Sequence, residues 1–172
     1  YEICWGSGDC DRANILIDVH EFSLDDMLGF KNGEYVEDGK QLLCFRQSSG
    51  SLSCWGHPSV VSTAPQTVTG LPALDITKTF SLEFSMFAQM SDGSLYGWGD
   101  SPINGHGGSA GVSAAIVPGL PSGDLVKEIK GDHTDACIVL ESGGQYCFGD
   151  NSSGEFGDTT TTSSTTPVIS SV

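Results

Sequence analysis

The chain has 172 residues and a formal net charge of −15, from 22 Asp and Glu against 7 Lys and Arg. That balance excludes a nucleic-acid surface, which needs clustered Lys and Arg, and argues against docking on anionic membranes. The 23 Gly, the lack of long helical periodicity and the absence of any apolar run of membrane-spanning length point to a turn-rich all-β domain.

In chain order, residues 1–6 read as the second strand of an incomplete hairpin, 7–14 as a polar loop and 15–20 as a short strand. Residues 21–39 depart most from the rest. Within them Ser23 is placed to cap a helical turn over 23–28, with Asp25 and Asp26 in its first turn. Residues 41–55 read as the first complete hairpin. Two later linkers, 66–72 and 116–121, share a Gly-Leu-Pro ending. Each leads to a short apolar strand, 74–77 and 125–129, and then to another hairpin. After the last hairpin come a polar loop at 149–157, a Thr/Ser run at 159–166 and Pro167-Val168-Ile169.

A phrase organises these elements. Cys4-Trp5-Gly6, Cys54-Trp55-Gly56, Gly97-Trp98-Gly99 and Cys147-Phe148-Gly149 fall at intervals of 50, 43 and 50 residues. Such a period marks repeated supersecondary units. The repeat predicts one array over 1–172, with units at about 6–56, 56–99 and 99–149 and a partial unit at 149–172. With four short strands per unit, the array reads as β-propeller-like, with about three blades plus half-units at each end; an open solenoid is the alternative.

The phrase ends a hairpin in three copies: 44–56 (CFRQSSGSLSCWG), 87–99 (FAQMSDGSLYGWG) and 137–149 (CIVLESGGQYCFG). Each has a Gly six places after its start, suited to a three-residue loop with one left-handed residue. That loop places Cys44 opposite Cys54, Cys137 opposite Cys147 and Phe87 opposite Gly97. Directly opposed Cα atoms lie within disulfide range, so Cys44–Cys54 and Cys137–Cys147 are expected as staples, in an oxidising compartment. In the hairpin 87–99 the Phe87 ring covers Gly97 instead. Cys4 has two open readings: its partner lies upstream in a longer chain of which this is an excerpt, or it pairs with Cys10.

The last unit resembles the regulator of chromosome condensation repeat. His133-Thr134 and Cys137, the turn Gly143, Phe148-Gly149 in place of Trp-Gly, Gly154-Glu155-Phe156-Gly157 and Thr166-Pro167-Val168 carry the likeness, which weakens over 21–39. The resemblance implies a β-propeller, built in that family from about seven blades. Its members include a Ran nucleotide exchange factor, parts of ubiquitin ligases, a plant ultraviolet-B receptor, receptor ectodomains and a beta-lactamase inhibitor, so it implies no single function. The acidic, Cys-paired chain looks most like the extracellular branch.

No catalytic signature, metal site or cofactor is expected. His20, His57, His106 and His133 are scattered, and His133 holds the family's structural His-Thr position. Asp150, Asn151, Glu155 and Asp158 lack EF-hand spacing and suit turns. Asn151-Ser152-Ser153 is a sequon for N-linked sugar, and Thr159, Thr160, Thr161 and Thr162 are candidates for O-linked sugar. The expected function is an extracellular, non-catalytic protein-binding or assembly module, contacting a protein or copies of itself through loops 101–114, 151–162 and 21–39. Strand edges at 1–5 and 167–172 are further candidates for pairing between copies. The alternatives are an intracellular exchange factor or scaffold, and a secreted inhibitor or enzyme.

Overall fold

The computed structural model describes residues 51–56 and 62–171, and the strand segments Ile3–Cys4, Cys10–Asp11, Met27–Leu28 and Leu42–Arg46. The predicted strand at 15–20, the loop Ser48-Ser49-Gly50, His20, His57, Asp25 and Asp26 lie outside the described residues, as does segment 21–39 apart from 27–28. All the described regular structure is antiparallel β. Strands β1 (Ile3–Cys4) and β2 (Cys10–Asp11) form a two-stranded piece in which Cys4 lies opposite Cys10.

Three four-stranded sheets follow. The first holds β3 (Met27–Leu28), β4 (Leu42–Arg46), β5 (Leu52–Gly56) and β6 (Gln66–Thr67). The second holds β7 (Ile76–Ser81), β8 (Ser85–Met90), β9 (Leu95–Gly99) and β10 (Gly111–Ile116). The third holds β11 (Val126–Gly131), β12 (Asp135–Leu140), β13 (Gln145–Gly149) and β14 (Ser164–Ile169). In each, neighbours in sequence are neighbours in the sheet, and the result is an open, propeller-like array.

Two local expectations give way to tertiary pairing. Met27–Leu28 is not helical: it pairs antiparallel with Phe45 and Cys44 and completes the first sheet. Long-range ladders override a weak local capping signal. Gln66–Thr67, in the expected linker, pairs with Cys54 and Ser53 as a fourth strand. Each sheet therefore takes its last strand from the segment after its hairpin, and the phrase-to-phrase repeat runs one strand out of step with the sheets.

The hairpins have the expected register: Cys44 faces Cys54, Phe87 faces Gly97 and Cys137 faces Cys147. At the second turn Met90 N–H donates to Ser94 O (2.8 Å) and Gly93 N–H to Met90 O (2.9 Å). At the third, Leu140 N–H donates to Gly144 O and Gly143 N–H to Leu140 O, both at 2.9 Å. These bonds enclose a three-residue loop whose last residue has φ of +86° at Gly93 and +92° at Gly143, where a side chain would be strained.

The core lies between sheets. Leu42, Cys44, Leu52 and Cys54 of the first sheet pack against Met86, Ala88, Met90 and Trp98 of the second. The opposite face of the second sheet, with Phe87 and Leu95, packs against Ala136, Ile138, Leu140 and Phe148 of the third. Strand β8 is buried at all six positions because it is covered on both faces, whereas β12 alternates buried with half-buried residues.

Candidate interaction surface

Each sheet is locked to the next by one repeated contact. The aromatic residue of the Trp-Gly phrase sits over the cross-strand pair of the preceding sheet. Trp98 packs on the first sheet and directs its indole N–H toward Cys54 Sγ at 3.3 Å. Phe148 takes the same place one sheet later, with its ring centroid 6.1 Å from that of Phe87 in an edge-to-face arrangement. The disulfide Cys44–Cys54 and the pair Phe87/Gly97 are thus alternative seats for one aromatic side chain. Cys44–Cys54 is fully buried, while Cys137 in the second disulfide is half-buried, on the outward face of the third sheet.

Gly97 is small for a reason the sequence did not disclose. A Cβ there would lie 2.1 Å from the carbonyl oxygen of Asn104 and 3.0 Å from the Phe87 ring. The loop after β9 folds back over the strand, and only hydrogen fits beneath it.

Further ties join the sheets. Lys78 Nζ donates to Val126 O (3.0 Å) and Lys127 O (2.8 Å), and the ammonium stands 5.1 Å from the Phe80 ring centroid. The linker after β6 makes a parallel bridge to the outer strand of the next sheet: Thr69 N–H donates to Val112 O (3.0 Å), and Thr69 O accepts from Ala114 N–H (2.8 Å). A Cβ on Gly70 would meet Ala114 O at 2.1 Å, so the shared Gly-Leu-Pro ending begins where the linker crosses that strand.

This rigid stack presents two loops after the phrase, 100–110 and 150–163, each organised by a buried Asn. Asn104 Oδ1 accepts from His106 N–H (3.3 Å) and Gly107 N–H (3.1 Å), and its Nδ2 donates to Gly108 O (3.0 Å). Asn151 Oδ1 accepts from Phe156 N–H (2.9 Å), and its Nδ2 reaches Thr160 O (3.2 Å) and Thr162 O (3.3 Å). Both side chains have zero solvent exposure. Ile103 and Phe156 fill the space beneath the two loops. Asn104 was not among the candidate residues; its signal is one both loops share, an Asn followed by Gly within three residues.

The sequon residue Asn151 is thus the pin of its loop. Its amide nitrogen is inside the protein and committed to the loop, and a glycan on it would break those bonds and open the fold. Thr159, Thr160, Thr161 and Thr162 are all exposed, although the Thr160 hydroxyl is engaged with the Asp158 carboxylate at 2.9 Å. Cys4 and Cys10 face each other in the register of β1 and β2.

The acidic side chains nearby act as turn formers. Asp150 accepts from the Ser152 hydroxyl, Ser163 hydroxyl and Ser152 N–H, which hold its carboxyl below the usual range. Asp158 is lowered by Thr160 N–H and hydroxyl donors, and Asp132 chiefly by Thr134 N–H. Asp135 is raised, first by burial, with Asp132, Glu155 and Asp150 adding repulsion. His133 Nδ1 lies 3.5 Å from Glu83 Oε2 and stacks edge-on against Phe84. His106 accepts from Gly108 N–H, and burial lowers its pKa. Among the described residues no three His, Cys, Asp or Glu side chains come together as metal ligands.

No protein-family model and no curated protein matches the chain. Solved structures do. Prp20p from Saccharomyces cerevisiae aligns with 17% identity and a TM-score of 0.60, over 80% of this chain and 38% of its own. Human WBSCR16 aligns with 15% identity and a TM-score of 0.56, over 77% and 38%. Yeast RCC1 (Prp20), solved bound to Kap60, gives 17% and 0.55, over 80% and 37%. The chain thus spans less than two fifths of the neighbours it matches. At this identity the likeness establishes the fold: stacked four-stranded blades of the kind that build these proteins.

Proposed function

We propose that the chain is a non-catalytic protein-binding or assembly module built from repeats of the chromosome-condensation-regulator type, working in an oxidising, extracellular setting. The observation that carries this reading is the pairing of two loops, each pinned by a buried Asn, with a scaffold of sheets stapled by Cys44–Cys54 and Cys137–Cys147. Rigid scaffolds carrying shaped loops are the common platform of recognition. Disulfides persist where thiols are not kept reduced. With a net charge of −15, the module favours neutral or basic partner faces. Sugar on Thr159, Thr161 or Thr162 fits a secreted surface.

The likeness to Prp20p, described for its binding to Gsp1p and histones, favours a second reading: an intracellular exchange-factor-like or scaffold propeller. Non-reducing peptide mapping of the protein from its natural source separates the two. Intact Cys44–Cys54 and Cys137–Cys147 linkages are expected; free thiols at all four would transfer the proposal to the second reading.

A further inference from the structure

The loop after β9 is held by a second side chain besides Asn104. Gly108 is gripped at both of its backbone polar groups: its carbonyl accepts from Asn104 Nδ2 (3.0 Å), and its N–H donates to His106 Nδ1 (3.0 Å). The imidazole lies so close that a Cβ on Gly108 would stand 2.4 Å from its Cε1 and 2.7 Å from its Nδ1. A Cβ on Gly107 would stand 2.7 Å from Thr165 Oγ1 of β14, and one on Gly105 would stand 3.2 Å from the Phe87 ring and 3.3 Å from Val117. These contacts seat the loop against both the second and the third sheet.

A neutral imidazole has one N–H and one bare nitrogen, whereas the cation has two N–H groups. Because Nδ1 accepts from Gly108, that bond assigns the ring proton to Nε2. Nε2 is buried and has no hydrogen-bond partner. Protonation would turn Nδ1 into a donor aimed at another donor, and would leave a positive charge with no acceptor at either nitrogen. The elements packed on the loop present Phe87, Val117 and Thr165, none of them titratable. The loop's own acid, Asp100, accepts from Ser101 N–H. Burial is the larger influence on the ring and lowers its pKa, and His106's own backbone opposes it. The ring is half-buried, and Gly107, Ser109 and Ala110 beside it are exposed, so its path to water is short.

We propose that His106 is a pH latch on the 100–110 loop. Neutral, it holds Gly108 N–H and keeps the loop closed beside its Asn104 pin. Protonated, it gives up that bond and turns to water, and the loop opens. This rests on the reading of the loop as a recognition surface, and it makes binding through that loop dependent on pH. In the open loop the ring has the ordinary imidazole pKa of about 6.5, so closure is at full strength above that value and weakens as pH falls toward the lowered value of the closed loop. The companion loop 150–163 contains no His. Its acceptors Asp150 and Asp158 titrate below the usual carboxylate range, so it stays closed over the same interval. Mild acid therefore changes one recognition loop and leaves the other.

Amide hydrogen exchange of the full chain, followed by NMR from about pH 8 to about pH 5 and corrected for intrinsic exchange, tests this. Protection of the Gly108 amide should be constant above the ordinary imidazole pKa and fall by up to about tenfold per pH unit below it. The Phe156 amide, which donates to Asn151 Oδ1 in the companion loop, should keep its protection. His106→Gln should abolish the pH dependence, and His133→Gln, at an exposed ring beside Glu83, should retain it. If the His106 variant folds poorly, the comparison of Gly108 with Phe156 in the unaltered chain and in His133→Gln still decides. Gly108 protection that is constant across the range overturns the proposal, as does a fall shared by Phe156 or one that survives in His106→Gln. No partner enters these measurements, so failure of the latch leaves recognition through the loops standing, and loop variants that bind normally at fixed pH would overturn recognition and leave the latch.

Discussion

Trp98 and Cys54 are 44 residues apart in sequence, yet the indole nitrogen of one lies 3.3 Å from the sulfur of the other across the boundary between two sheets. The disulfide does more than staple its own hairpin. Together with Cys44 it forms the floor on which the next sheet's largest side chain rests, and both partners are fully buried.

Truncating Trp98 should therefore uncouple two sheets. Trp98→Ala is expected to cost about 3–5 kcal/mol in denaturant unfolding, the usual range for a large buried aromatic. Trp98→Phe should cost much less, because Phe148 fills the same position over Phe87. Equal losses from both would show that the ring is not seated on its neighbour.

The two disulfides should differ under reductant. Cys44–Cys54 is sealed between sheets, and Cys137 is half-buried on an outward face. Timed alkylation of the folded protein should label Cys137 and Cys147 before Cys44 and Cys54. Replacing either pair by Ala removes a short closed loop worth about 2 kcal/mol, and the buried pair should cost more because it also leaves a cavity under Trp98.

Gly97→Ala tests the loop that crosses β9. The added methyl would sit 2.1 Å from Asn104 O, so the backbone must move; a loss of about 1–3 kcal/mol is expected. Asn151→Ala should cost about 1–3 kcal/mol by leaving loop donors and acceptors unmatched. The folded protein should show no mass change on treatment with an N-glycosidase.

Acid titration should show two opposing carboxylate effects. Asp150 and Asp158 have lowered folded pKa values, so the stability they add is present above the ordinary carboxylate pKa and is lost as pH falls through the lower folded values. Asp135 is raised, so its contribution is full below the ordinary pKa and is lost as pH rises through the folded value. Asp135→Asn should therefore raise the thermal midpoint at neutral pH, with the gain shrinking below the ordinary carboxylate pKa. A constant gain across pH would contradict a titrating origin.

The hairpins were legible because Gly at a fixed offset sets the loop and the loop sets the register. From that register Cys44 and Cys54, Cys137 and Cys147, and Phe87 and Gly97 could be placed opposite one another. Outer strands were harder to see. Gln66–Thr67 and Ser164–Ile169 are short or polar, and they become strands only by pairing with a hairpin already formed. Asn151 carries a sequon whatever its surroundings, and burial alone separates a loop pin from a sugar site. The contact of Trp98 with Cys54 had no local signal, since it depends on how one sheet lies on the next.

The most direct test of the repeated lock is a double-mutant cycle between the Cys44→Ala/Cys54→Ala pair and Trp98→Ala, read by equilibrium unfolding. The lock predicts that the losses are not additive, with a coupling of about 1–3 kcal/mol, as for residues in contact. Additive losses would mean that Trp98 and the disulfide stabilise the fold independently, and the lock between sheets would be wrong.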